Sequence, residues 1–168
     1  TILIPRVETA AELRPALEAA HFAYDGDVGD RGVGLGRTSE WEGYVDSHIG
    51  GEDDQVLVGT MIENQQAVDN IDEILSLPEL GFVFVGPADL SMSLSDGEPL
   101  NKNPEKLQAA IDRTREACLD AGVPIGRIQN DPADAREAAE KGFQILRIGG
   151  DTGAIRSTLA DRLQAVDQ

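Results

Sequence analysis

A chain of 168 residues, 40% of them apolar, has the length of one domain and enough hydrophobic material for a real core. Thirty-one acidic against 14 basic residues leave a net charge of −17, which repels nucleic-acid phosphates and anionic lipid and so sets aside DNA, RNA and membrane partners. No apolar run approaches the roughly 18 residues that span a bilayer and no secretory signal pattern is present, which reads as a cytoplasmic protein.

The chain enters directly into a short apolar run, Ile2-Leu3-Ile4, read as a strand. A helix follows near Thr9–Phe22, where Thr9 has the N-cap position and Glu12 stands three residues on. Val56–Ile62 is the next strand. Asn64 then opens a helix through Leu75 that carries Ala67, Val68, Ile71, Ile74 and Leu75 on one face. Phe82–Val85 is a third strand, ended by Gly86-Pro87. Pro104 at a first helical position opens a helix to Ala121. Pro124–Ile128 is a fourth strand, Asp131-Pro132 opens a helix to about Lys141, and Phe143–Ile148 is a fifth strand. After Gly149-Gly150-Asp151 a last helix runs to about Val166.

Five βα units with continuously apolar strands indicate a parallel sheet covered by helices, either an open doubly wound sheet or a (β/α)8 barrel. No G-x-G-x-x-G follows the first strand, which weakens the dinucleotide-binding version. Gly32-Val33-Gly34-Leu35-Gly36 has neither a strand before it nor a Gly-Lys-Ser/Thr after it, and reads as a plain segment. The whole of 1–168 reads as one domain, partial for a barrel, with a long loop at 24–54 of the kind that forms lids or subunit contacts.

In parallel α/β folds chemistry gathers at the carboxyl ends of strands. The polar residues there are Arg6 and Glu8, Glu63 and Asn64, Asp89 and Ser91, Gln129 and Asn130, and Asp151. Glu63 and Asp89 follow neighbouring strands, whose axes lie about 4.8 Å apart, so both carboxylates can converge on one ion. Two carboxylates with water and substrate oxygens describe a Mg²⁺ or Mn²⁺ centre, with Co²⁺ an admissible substitute. The plainer alternative for each is a first-turn charge at a helix start. None of the three lysines stands at a strand end, where a Schiff-base lysine would sit: Lys102 and Lys106 flank a helix start and Lys141 a helix end.

Met61-Ile62-Glu63-Asn64, the helix Ala67–Ile74 and the block Phe84-Val85-Gly86-Pro87-Ala88-Asp89-Leu90-Ser91 resemble the HpcH/HpaI aldolases, class II pyruvate-dependent enzymes of the 4-hydroxy-2-oxoheptane-1,7-dioate type. The resemblance continues through Arg31-Gly32-Val33-Gly34, Ala121-Gly122, Gly142-Phe143 and Gly149-Gly150-Asp151, and so covers the whole chain. It implies a TIM barrel of the phosphoenolpyruvate/pyruvate superfamily, of which these residues form about strands 4 to 8. It implies Glu63 and Asp89 as metal ligands, and a pyruvate (2-oxo acid) site built by Gly86, Pro87, Ala88, Asp89 and Ser91. It implies a lyase that cleaves a 4-hydroxy-2-oxo acid to pyruvate and an aldehyde, in a homo-oligomer, trimer or hexamer, where the last helix with Ile155, Leu159, Leu163 and Val166 meets a neighbour. A citryl- or malyl-CoA lyase and a non-catalytic barrel fragment or assembly subunit are the alternatives.

The departures are specific. The acid–base His–Asp pair and the enolate-stabilising Arg implied by the resemblance are expected upstream of Thr1; His21 and His48 do not match them and read as surface histidines. Met61 stands where a Gln is usual. Arg127 and Arg147 interrupt apolar strands, so each pairs with acids on covering helices or meets a substrate carboxylate. Arg37 and Trp41 resemble a family segment that packs near the active-site mouth or against a neighbouring subunit. Three lysines on so acidic a chain suit a halophile's cytoplasm, and the lone cysteine, Cys118, reads as a buried apolar residue.

Overall fold

The computed structural model describes residues 1–23, 29–34, 36, 37, 49, 51, 55–95 and 104–166. Five parallel strands form one sheet in chain order: β1 (Ile2–Ile4), β2 (Val58–Ile62), β3 (Phe82–Val85), β4 (Ile125–Gln129) and β5 (Ile145–Ile148). Pairings such as Gly59↔Phe82, Val83↔Ile125 and Gly126↔Ile145 fix the register. The order never reverses. An open doubly wound sheet has a reversal point where its strand order turns back, whereas consecutive order is that of an arc of a (β/α)8 barrel.

The helices are α1 (Ala10–Ala20), α2 (Gln65–Asp69), α3 (Ile71–Leu75), α4 (Pro87–Ser93), α5 (Pro104–Ala121), α6 (Pro132–Glu140) and α7 (Asp151–Val166). The predicted caps are made: the Thr9 side chain accepts from the Glu12 N–H, and Asp131 Oδ1 accepts from Ala133 and Asp134. The single helix expected over Asn64–Leu75 is instead two, α2 and α3, broken at Asn70. Asn70 Nδ2 donates to the Glu8 carbonyl at 2.9 Å, a tertiary bond that competes with helix propagation. Three strands, β2, β4 and β5, begin later than expected, the last two because a glycine stop extends the helix before them. Gly142 adopts φ 95° at the end of α6, and the Phe143 N–H closes back on the Ala138 carbonyl at 3.1 Å, so Phe143 belongs to a helix stop rather than to β5. Gly122 (φ 70°) does the same after α5, with the Val123 N–H on the Cys118 carbonyl at 2.9 Å.

Residue parity assigns the two faces of the sheet. Val58, Ile62, Val83, Val85 and Ile125 are buried against Leu13 and Leu17 of α1, Ile71 and Ile74 of α3, Leu90 of α4, and Ile111 and Cys118 of α5. Thr60 shares that face and satisfies its hydroxyl on the Ile4 carbonyl at 3.3 Å. The opposite face, which a closed barrel turns inward, carries Gly59, Met61, Phe82, Phe84, Gly126, Ile128, Ile145 and Arg147. There Phe82 fills the space where Gly59 lacks a side chain, and Phe84 fills that of Gly126. No helix among the described residues is long and apolar enough to cross a membrane.

Candidate active site

Arg6, Glu8, Glu63, Asn64, Asp89, Met92 and Ser93 line a cleft of about 450 Å³ at the carboxyl ends of β1, β2 and β3. Both sequence-predicted carboxylates are therefore in one cleft. Glu63 follows β2 on the inward face and is 9% exposed. Its carboxylate is held from two sides. The Arg6 N–H donates to Oε2 at 2.9 Å. A Cβ on Gly86 would lie 2.7 Å from Glu63 Cγ and 2.8 Å from Oε1, so only glycine leaves this rotamer room. Arg6 is the one non-glycine residue with positive φ (57°) among the described residues, and that turn aims its N–H at the carboxylate.

The surrounding polar groups are committed to the scaffold. Asn64 Oδ1 caps α2 by accepting from the Ala67 N–H at 2.8 Å, while its Nδ2 donates to Glu8 Oε1 at 3.3 Å. The Gln65 N–H donates to Ser93 Oγ at 3.1 Å, which ties the starts of α2 and α4 together. Asp89 lies in the first turn of α4 and is exposed to the cleft. Gly86 is the N-cap of α4, Pro87 its first residue, and no side chain caps it, so the Ala88 and Asp89 N–H groups are its leading donors. Ser91 is buried behind them.

The donors fit a hard cation: two carboxylates bring oxygen and negative charge, leaving other positions for water and substrate. Among the described residues no group of three or more His, Cys, Asp and Glu could hold a metal by protein atoms alone. No lysine lines the cleft among the described residues; Lys106 donates to the Leu94 carbonyl and Lys141 pairs with Glu137 at 2.6 Å. His21 is the C-cap of α1, which runs back toward the amino ends of the strands and away from the cleft. His48, Trp41 and Lys102, and about two-thirds of the 24–54 loop, lie outside the described residues.

The two strand arginines, grouped by sequence, separate in space. Arg127 pairs in register with Val85 and so points to the helices. Its guanidinium lies 5.3 Å from the Phe143 ring centroid, and burial lowers its pKa against the opposing pull of Asp112, Asp134 and Glu137. Arg147 pairs with Ile128 and points inward. The buried thiol of Cys118, as expected, is pushed up to about 12 by burial.

Residues 1–158 match the HpcH/HpaI aldolase/citrate lyase family. The chain belongs to that family. It is 32% identical over 165 residues to a 2-keto-3-deoxy-L-rhamnonate aldolase of Klebsiella pneumoniae, covering 97% of this chain and 60% of that protein. Among solved structures it resembles a family protein from Burkholderia cenocepacia, with TM-score 0.87 and 27% identity over 99% of this chain and 64% of that one. An HpcH/HpaI aldolase from Desulfitobacterium hafniense matches with TM-score 0.85 and 27% identity, over 99% and 63% of the two chains. The chain thus spans about three-fifths of the length of the curated relatives it matches. Sequence reasoning missed the Arg6 clamp, because nothing in the residue type announces a left-handed backbone. It placed Gly86 in the pyruvate site without seeing it as the floor under Glu63, although Gly before Pro at a strand end marks a special turn.

Proposed function

We propose that these residues serve a divalent-metal-dependent aldolase that cleaves a 4-hydroxy-2-oxo acid to pyruvate and an aldehyde. The observation that carries the reading is Glu63, locked between the Arg6 N–H and Gly86, in one cleft with Asp89. Glu63 and Asp89 hold a Mg²⁺ or Mn²⁺ ion, which when bound supplies positive charge beside the oxygen where negative charge develops, an effect of several kcal/mol or so. The Arg6 N–H donates to Oε2 of Glu63 and fixes the carboxylate's orientation, and its remaining lone pairs would be the ones offered to an ion. The Ala88 and Asp89 N–H groups receive the pyruvate carboxylate, with Gly86 and Pro87 shaping the turn and Ser91 supporting it from below. The aldolase name of the Klebsiella relative favours this reading over a CoA-thioester lyase. Ile155, Leu159 and Leu163, exposed along α7, support a homo-oligomer built through that helix.

The test is exchange of pyruvate methyl protons with deuterium in the full-length protein, followed by NMR. Exchange depends on added Mn²⁺ or Mg²⁺, stops with chelator, and is lost in Glu63→Ala. Exchange that ignores chelator, or that survives Glu63→Ala, overturns the assignment.

A further inference from the structure

Glu8 brings a further carboxylate to the cleft that Glu63 and Asp89 line, and it is half-buried there. Its bonds run to the scaffold. Glu8 Oε1 accepts from Asn64 Nδ2 at 3.3 Å, its N–H donates to Glu12 Oε2 at 2.8 Å, and its carbonyl accepts from Asn70 Nδ2 at 2.9 Å. One residue is thereby tied to the first turn of α1, the cap of α2 and the break between α2 and α3. Val7, next to it, is buried in the core.

These ties fix the far side of Arg6. On the near side Ile4 pairs in register with Thr60. Between the two, Arg6 takes φ 57°, a left-handed backbone that only about a few per cent of non-glycine residues adopt. Such a conformation persists only where its surroundings over-determine it. With the loop after it released, Arg6 would return to negative φ, turn its N–H away from Glu63 Oε2 and leave that carboxylate without its donor. Direct ligation is the other use for a carboxylate in this place. Among the described residues, however, no group of three acids or other ligating side chains is placed to hold an ion.

We propose that Glu8 is a positioning residue: held by Asn64 and Asn70, it pins the β1–α1 loop so that the Arg6 N–H stays on Glu63. The proposal deepens the metal reading of the cleft and rests on it. It also gives the break at Asn70 a role, since the amide that interrupts the helix is the one that holds the Glu8 carbonyl.

The experiment reads two quantities in the full-length protein: Kd for Mn²⁺, from the EPR signal of free ion, and amide hydrogen exchange at Arg6 in chelator. Glu8→Ala raises Kd and speeds Arg6 exchange about 5-fold or more each, with exchange across β3 unchanged. Glu8→Gln, which still accepts from Asn64, stays within about 2-fold of wild type in both. Asn70→Ala, outside the cleft, behaves as Glu8→Ala does. In an Arg6→Gly background, where glycine takes positive φ without strain, the effect of Glu8→Ala shrinks to about 2-fold or less. Equal losses for Glu8→Ala and Glu8→Gln overturn the proposal, because they mark a ligand or a charge. So does wild-type behaviour in Glu8→Ala, a rise in exchange that β3 shares, or an effect undiminished by Arg6→Gly. The exchange arm needs no metal. Wild-type protein that binds no Mn²⁺ removes the metal reading, while local loosening at Arg6 that Glu8→Gln repairs still supports the pin. Unchanged exchange at Arg6 in Glu8→Ala refutes the pin even where Mn²⁺ binds tightly.

Discussion

Replacing Gly86 by alanine tests the central geometry with one methyl group. The added Cβ would lie 2.7 Å from Glu63 Cγ and 2.8 Å from Oε1, about 1 Å inside ordinary contact. The φ of −96° at Gly86 suits alanine, and its N–H bond to the Ile62 carbonyl is kept, so the backbone has no reason to move. Glu63 then has two courses. It can stay and carry an overpacking strain of about 1–3 kcal/mol, or swing away and lose the charged hydrogen bond from Arg6, about 1.5–3 kcal/mol. Either course weakens the ion-binding pose by about 1–3 kcal/mol, a factor of roughly 5 to 150 in affinity. Titration of Mn²⁺ followed by the EPR signal of free ion measures this directly, and urea unfolding in chelator reports stability separately. The expected result is a rise of about 5-fold or more in Kd for Mn²⁺ in a folded protein whose stability falls by no more than about 3 kcal/mol. A folded Gly86→Ala protein with wild-type Mn²⁺ affinity refutes the view that Gly86 fixes Glu63.

Three further outcomes follow from the same structure. Arg6→Gly keeps the N–H and relieves the left-handed strain, so stability rises by about 0.5–1 kcal/mol with Mn²⁺ affinity retained; Arg6→Ile, read by the same two assays, loses both. The Cys118 thiol titrates near 12 when folded and about 8.5 when unfolded, so the folded state favours the protonated form. Its contribution is complete below pH 8.5 and is lost as pH rises from there toward 12, by up to about 1.4 kcal/mol per pH unit. Urea midpoints at pH 8 and pH 10 should fall more for wild type than for Cys118→Ala. In Gly126→Ala the new Cβ meets Phe84 Cδ2 at 2.6 Å and the Ile145 carbonyl oxygen at 2.7 Å, and the second contact is backbone. A loss of about 1–3 kcal/mol in denaturant unfolding is expected; an unchanged midpoint would show that β4 and β5 can separate freely.

What the sequence disclosed was set by local chemistry. Pro104 and Asp131-Pro132 announced the helices α5 and α6, because caps and proline act within one turn. Consecutive apolar runs disclosed a parallel sheet, but only the strand pairing separates a barrel arc from a doubly wound sheet. Glu63 and Asp89 were visible as carboxylates after neighbouring strands. The contact that orients Glu63 was not, since it joins positions 57 apart through an unusual φ at Arg6. The break at Asn70 was hidden for the same reason: the helical pattern of 64–75 is unbroken, and the competitor is the Glu8 carbonyl, 62 positions away. Arg127 and Arg147 looked equivalent because strand parity is known only once the register is fixed.

Strand order that follows chain order also says something about how the sheet is made. Each strand pairs with the one synthesised just before it, so a nascent chain never has to wait for a distant partner. The stretches to be closed are unequal: Ile4 and Thr60 stand 56 positions apart, whereas the β4–β5 pairs are about 20 apart. The logarithmic growth of closure entropy makes the longer closure harder by only about 1 kcal/mol. That difference favours closure of β4 on β5 over closure of β1 on β2. The Arg6 N–H reaches Glu63 only when β1 docks, so the orientation of this carboxylate depends on the longest of the strand closures.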